Sequence, residues 1–169
     1  MMKIIKKAKG GLTGLYKSSR WSAISKLLDA DSRTLLDVGC GDLFIYDKLK
    51  DRYRLTLVDY SPKHNLIGKE DVMNLSFPDK SFDIVLCQQV LEHVFDPVKA
   101  IAELKRVTAK QLVITVPYEP FFTLLRLLSW EKEHLWAVTP AILRFYLGDP
   151  VYENKLFFKR YYLGVWRFG

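Results

Sequence analysis

A chain of 169 residues, 49% hydrophobic and 27% charged, has the length of one domain and enough apolar material for a sizeable core. Two cysteines, Cys40 and Cys87, exclude a disulfide scaffold, and the absence of CxxC spacing removes the common zinc motifs; both lie in apolar runs and read as buried thiols of a reducing compartment. The formal net charge of +7 crowds at the ends, with Lys3, Lys6, Lys7, Lys9, Lys17 and Arg20 at one and Lys155, Lys159, Arg160 and Arg167 at the other, a field that either attracts nucleic acid, anionic lipid or a phosphorylated substrate or is plain solvated surface.

No apolar run approaches the roughly 20 residues a membrane span needs, and the basic start has no secretory apolar segment. The expectation is a cytoplasmic protein, with peripheral membrane contact left open. Residues 1–15, with Gly10, Gly11 and Gly14, read as a loosely held arm. Trp21, Ile24, Leu27 and Leu28 recur at helical spacing, which predicts an amphipathic helix over 17–30. Thr34 to Val38 is a short buried strand ending in Gly39-Cys40-Gly41, and Phe44 to Leu49 opens a helix.

The alternation continues with strands at Arg54–Val58 and Phe82–Cys87. A helix begins at Asp96-Pro97 with Ile101, Leu104 and Val107 on one face, and a strand at Gln111–Val116 stops at Pro117. Apolar strands alternating with helices predict an α/β fold whose mostly parallel sheet is covered on both faces. After a helix at 140–147, Tyr152–Lys159 and Tyr161–Phe168 leave no room for a crossover and predict an antiparallel hairpin at the sheet edge. No repeat, linker or low-complexity tract divides residues 1–169, so one domain is expected.

In open α/β sheets the ligand lies beyond the carboxyl ends of the strands. The glycines after the first strand let the backbone turn and approach a ligand closely. A dinucleotide fingerprint needs glycine at position 44, where Phe44 stands, which disfavours pyrophosphate. Asp59, ending the second strand, can accept both hydroxyls of a ribose.

The strings LLDVGCGD, VDYSP, EDVMNLSFPDKSFDIVLCQQVLEHVFDPVKAIAEL and LVITVP, in register over about residues 33–117, resemble the class I methyltransferases of the type 11 group, and HLWAVTPAILRFYL resembles the segment before that group's last helix. The resemblance implies a three-layer Rossmann-like fold with a seven-stranded sheet that carries S-adenosylmethionine across its C-terminal edge. It puts Gly39 and Gly41 against the methionine part, with Asp37 reaching the ammonium through water. Asp59 would hold the ribose hydroxyls and Tyr60 would flank the adenine. Asp71 would accept from the adenine amino group, the Val72 backbone would read the ring, and Gln88 would contact the methionine end.

Two features depart from the group. Leu43 stands where a third glycine is frequent, so a slightly shifted helix start is expected. Only eleven residues separate Asp59 from Asp71, too few for a covering helix and a strand, so one crossover helix is short or missing. His93, after the fourth strand, is the candidate general base if the acceptor must lose a proton, or else a packing residue of the loop with Glu92 fixing nearby backbone. An E-x-x-E-H metal arrangement has Gln89 at its first position, which leaves Glu92, His93 and a remote His134 as a poor set, and no metal is expected. His64 reads as surface.

Residues 118–136, rich in Phe and Leu, read either as core cover or as an acceptor lid that favours an apolar or lipid-linked acceptor, with anionic membrane as a partner surface. Nothing resembling Asn-Pro-Pro-Tyr follows the fourth strand, which argues against amino-group methylation of DNA bases, and nucleic acid is disfavoured as a partner because no recognised RNA-binding appendage is present. The alternatives to an enzyme are a non-catalytic S-adenosylmethionine-binding scaffold and, behind it, a nucleic-acid-binding module.

Overall fold

The computed structural model describes residues 14, 17–118, 135–156 and 160–169. Seven strands form one sheet: β1 (Thr34–Val38), β2 (Arg54–Asp59), β3 (Ile67–Lys69), β4 (Phe82–Gln88), β5 (Thr108–Pro117), β6 (Tyr152–Leu156) and β7 (Tyr161–Arg167). The order across the sheet is β3-β2-β1-β4-β5-β7-β6. β1 to β5 run parallel, while β7 is antiparallel to both β5 and β6, so the expected edge hairpin is present. The chain leaves β1 toward β2 on one side and returns to β4 on the other, which makes the gap between β1 and β4 the switch point.

Helices cover both faces. A helix whose described part spans 17–24 (α1) and α2 (Phe44–Leu49) bury Ile24, Ile45 and Leu49 against Leu35, Ile84, Leu86 and Val113 of the sheet. On the opposite face α3 (Pro97–Val107) and α4 (Pro140–Leu147) pack with Leu36, Val85, Leu112 and Ile114. In α3 the Asp96 carboxylate caps the Lys99 N–H, Pro97 fits the first turn, and Ala100, Ile101, Leu104 and Val107 recur at the helical period and are buried. Each such aliphatic side chain larger than alanine contributes about 1.5–3 kcal/mol by leaving water. In α4 Thr139 caps Ile142 and Gly148, at φ +81°, ends the helix.

The described helical residues of α1 stop at 24 rather than 30, and tertiary bonds are the reason. Buried Gln111 of β5 donates to the Leu27 carbonyl at 2.8 Å and accepts from the Asp29 N–H at 3.0 Å, pulling both groups out of the helical ladder. No helix joins β2 to β3. β3 pairs only with the last three residues of β2, Leu57 to Asp59, so the chain turns back a short distance and seven connecting residues suffice. Leu43 has an ordinary φ of −87°, so helix α2 starts at Phe44 with no need of a third glycine.

Candidate functional site

Two cavities open along the carboxyl ends of the strands and meet at Gly39. The larger, of about 500 Å³, is lined by Gly39, Asp59, Tyr60, Asp71, Val72 and His93, together with Glu70, Met73, Gln89, Val90, Val94 and Phe95. The smaller, of about 200 Å³, is lined by Asp37, Gly39, Gly41 and Gln88, together with Lys17, Arg20, Cys40 and Asp42. The nine residues named from the sequence therefore divide between two compartments of one cleft.

The turn after β1 is built from backbone bonds and two left-handed glycines, Gly39 at φ +70° and Gly41 at φ +66°. The N–H groups of Gly39 and Cys40 donate to the Val58 carbonyl at 2.8 and 3.2 Å, which folds the turn over the end of β2. A Cβ on Gly39 would stand 2.3 Å from Val90, so both the backbone angle and the space require glycine there. Asp59 fastens the turn: one carboxylate oxygen accepts from Gly41 N–H at 2.9 Å and the other from Ser61 N–H at 2.9 Å. A carboxylate has about four lone-pair sites, so half of its accepting capacity remains for a ligand.

Asp37 is buried at the end of β1, and its Oδ2 makes no hydrogen bond. Burial, with the charges of Asp42 and Asp59 nearby, pushes its carboxyl up to about 8. An uncompensated buried acid is costly, and a cation arriving in the cavity relieves that cost. Cys40 departs from the expectation of two buried thiols: Cys87 is fully buried, but Cys40 is half-buried in the turn and lines the smaller cavity. Burial and the neighbouring Asp37 and Asp59 push its thiol up to about 12, which keeps it protonated and unreactive.

Asp71 and Val72 sit on the stretch after β3. One Asp71 carboxylate oxygen accepts from Met73 N–H at 2.9 Å, and the Asp71 carbonyl accepts from Asn74 N–H at 2.9 Å, which sets a tight turn under the larger cavity. Arg106, in the last turn of α3, clamps the following residues. It donates to the carbonyls of Leu75 and Phe77 at 2.9 and 2.7 Å and to the Asp79 carboxylate at 2.9 Å, and it pairs with Glu103. Glu103 in turn accepts from Leu75 N–H at 2.8 Å.

His93 lies at the rim, with its side chain 38% exposed and Nε2 3.9 Å from buried Glu92. The Glu92 carbonyl accepts from the N–H groups of Leu135 and Trp136, and the Trp136 indole donates to the Phe95 carbonyl at 3.2 Å. Exposed Phe95, Leu135 and Trp136 therefore gather beside His93. Among the described residues no group of three or more His, Cys, Asp or Glu is placed to hold a metal ion; His134 lies outside them. His64 is exposed, and its Nδ1 accepts from Leu66 N–H at 3.2 Å.

Sequence reasoning missed Lys17 and Arg20 of α1 and the cavity residues Glu70, Met73 and Gln89. Cys40 and Asp42 had a usable signal in their position beside the glycines. Gln89 takes φ +57° and donates through its side chain to Thr115 at 3.2 Å, a strained turn that no spacing announces. For α1, helical periodicity reports an apolar face but not which strand ends it will overhang. The expected basic arm over 1–15 and the expected lid over 118–136 fall, apart from residues 14, 118, 135 and 136, outside the described residues.

Residues 36–114 match the family described as a methyltransferase domain. An uncharacterized methyltransferase of Schizosaccharomyces pombe is 60% identical over 37 residues, which are 22% of this chain and 13% of that protein. An uncharacterized protein of Methanocaldococcus jannaschii is 34% identical over 94 residues, 48% of this chain and 40% of that protein. The chain thus spans less than half the length of these curated relatives. The solved structure of an S-adenosylmethionine-dependent methyltransferase from Archaeoglobus fulgidus shares the fold at a TM-score of 0.71 and 18% identity, covering 92% of this chain and 94% of that one. The family match runs from β1 into β5, the strands whose ends bear both cavities, and over those residues the chain is similar to methyltransferase domains.

Proposed function

We propose that this chain binds S-adenosylmethionine along the cleft and transfers its methyl group to an acceptor arriving beside His93. The observation that carries the reading is the meeting of the two cavities at Gly39, with buried Asp37 in one and Asp59 and Asp71 in the other. The residues fit the group: a buried carboxyl lacks a hydrogen bond on one oxygen, and a ribose-accepting carboxylate keeps spare lone pairs. When bound, the cofactor supplies a methyl group on a positively charged sulfur.

The side chains then do the positioning. Asp37 accepts from the ammonium of the methionine part and ionises as it does so. Asp59 accepts from the ribose hydroxyls while still holding the Gly41 turn. Asp71 and the Val72 backbone address the adenine edge, Tyr60 covers the ring, and Gln88 bounds the methionine end. Holding donor and acceptor in line is where most of the rate comes from, since a near-attack geometry can supply about 7–11 kcal/mol of the barrier. His93 takes a proton from the acceptor when that atom must lose one. Exposed Phe95, Leu135 and Trp136 at the rim favour an apolar or lipid-linked acceptor, and the net charge of +7 favours contact with anionic membrane.

Calorimetry tests the reading. S-adenosylmethionine and S-adenosylhomocysteine are expected to bind and NAD is not. The Asp59→Ala variant should lose about ten- to a hundredfold in affinity, as expected for a charged acceptor of hydrogen bonds, with its unfolding transition retained. Heat with NAD and none with S-adenosylmethionine overturns the proposal. A turnover screen across acceptors separates an enzyme from a binding scaffold.

A further inference from the structure

A further cavity, of about 540 Å³, lies between α3 and α4 and shares no lining residue with the cleft at the strand ends. Val98, Ile101, Ala102 and Lys105 recur at helical spacing, so α3 turns one stripe toward it. Tyr146 of α4 and Lys80 of the turn before β4 complete its sides. Val98 and Tyr146 keep 39% and 40% of their surface exposed, apolar area that an occupant would remove from water.

The charge of this cavity is one-sided. Asp79 and Arg106 also line it, but they are paired with each other at 2.9 Å, and Arg106 holds Glu103 as well. Lys105 meets no acid: it donates to the Tyr146 carbonyl at 3.4 Å and lies 5.9 Å from the centroid of the Phe168 ring. Lys80 has no acidic partner among the described residues. Its backbone is at φ +50°, an uncommon conformation for a residue with a side chain, and its N–H donates to the Arg106 carbonyl at 2.8 Å, which fixes the turn against the end of α3. Two ammonium groups without acids beside an apolar wall are the complement of an anion with an apolar body. The volume falls within the roughly 300–1,000 Å³ of small-molecule sites.

We infer that the cavity between α3 and α4 binds a single-chain anionic amphiphile, with its phosphate or carboxylate meeting Lys80 and Lys105 and its chain against Val98, Ala102 and Tyr146. This site is separate from the cofactor cleft and does not depend on the proposed methyl transfer.

Hexyl phosphate is the probe, titrated into the full chain by calorimetry with and without S-adenosylhomocysteine. It should bind in both cases, about tenfold more tightly than hexan-1-ol or inorganic phosphate, since each of these carries only half of the complement. Lys80→Gly should weaken it about tenfold while the unfolding temperature does not fall, because glycine accepts the positive φ without strain. Ala102→Glu, at an exposed position of α3 where glutamate suits a helix, should weaken it similarly by adding an acid to the wall. Affinity unchanged in both variants overturns the site, as does displacement of the probe by S-adenosylhomocysteine. Binding no tighter than that of hexan-1-ol or inorganic phosphate overturns it too. Vesicles of phosphatidylcholine with phosphatidic acid separate the two sources of such an anion. A smaller bound fraction for Lys80→Gly assigns the ligand to a bilayer lipid, and an equal fraction assigns it to a free amphiphile.

Discussion

Asp37 shows how far one residue's chemistry depends on what lies beside it. Its carboxyl titrates at about 8 in the folded chain against an ordinary value of 3.8. Between those two values the folded state holds a proton that the unfolded state has released. Stability contributed by this group is therefore fully present below about pH 4 and is lost as pH rises toward about 8. A ligand ammonium reverses the balance by favouring the charged carboxylate, so cofactor binding in this window should release a proton and strengthen with pH. Calorimetry in buffers of different ionisation heat reads that proton directly. Asp37→Asn should remove the release and flatten the stability slope; equal proton release from both proteins would show that another group is responsible.

At the scale of elements, the decisive contact is between the end of α3 and the stretch after β3. That stretch carries Asp71 and Val72, yet it has no crossover helix behind it and only three residues of strand before it. Its place is held by Arg106, whose guanidinium meets two carbonyls and two carboxylates, with bonds to Leu75, Phe77, Asp79 and Glu103. Hydrogen bonds to an ionised donor are each worth more than neutral ones. Arg106→Met should lower stability by about 2 kcal/mol. It should also weaken S-adenosylhomocysteine binding, by less than Asp59→Ala does. Unchanged thermal unfolding and an unchanged Kd together would show that the stretch holds its shape without the clamp.

For the whole molecule, the relevant quantities are net charge and the apolar rim. No helix among the described residues is long and apolar enough to cross a membrane. The proposed contact with anionic lipid is of the peripheral kind, in which apolar insertion and charge attraction add. The full chain, at +7, should co-sediment weakly with vesicles containing phosphatidylserine and be released as salt rises, because screening shortens the reach of surface charge. Phe121→Ser/Leu125→Ser should reduce the bound fraction at low salt. A chain that stays in the supernatant at low salt argues for a soluble acceptor instead.

Much of the fold was legible because its signals are local. Apolar runs marked β1, β2, β4 and β5, Asp96-Pro97 marked a helix start, and the crowding of Tyr152 to Phe168 allowed only a hairpin. The glycines and Asp59 were readable for the same reason, since a sharp turn and a strand-end carboxylate each need particular residues at one place. What could not be read depends on groups far apart in the chain. The early end of α1 is set by Gln111, more than eighty positions away, and the hold on Asp71's neighbours by Arg106. Asp37 and Arg20 face one cavity only because α1 packs against strands it follows in no regular pattern. Sequence by itself determined the α/β framework and the strand ends at which the two cavities open, because backbone geometry and apolar periodicity act over a few residues. Only tertiary structure decided the protonation of Asp37, the half-exposure of Cys40 and the placing of Arg20, because burial and charge act through space.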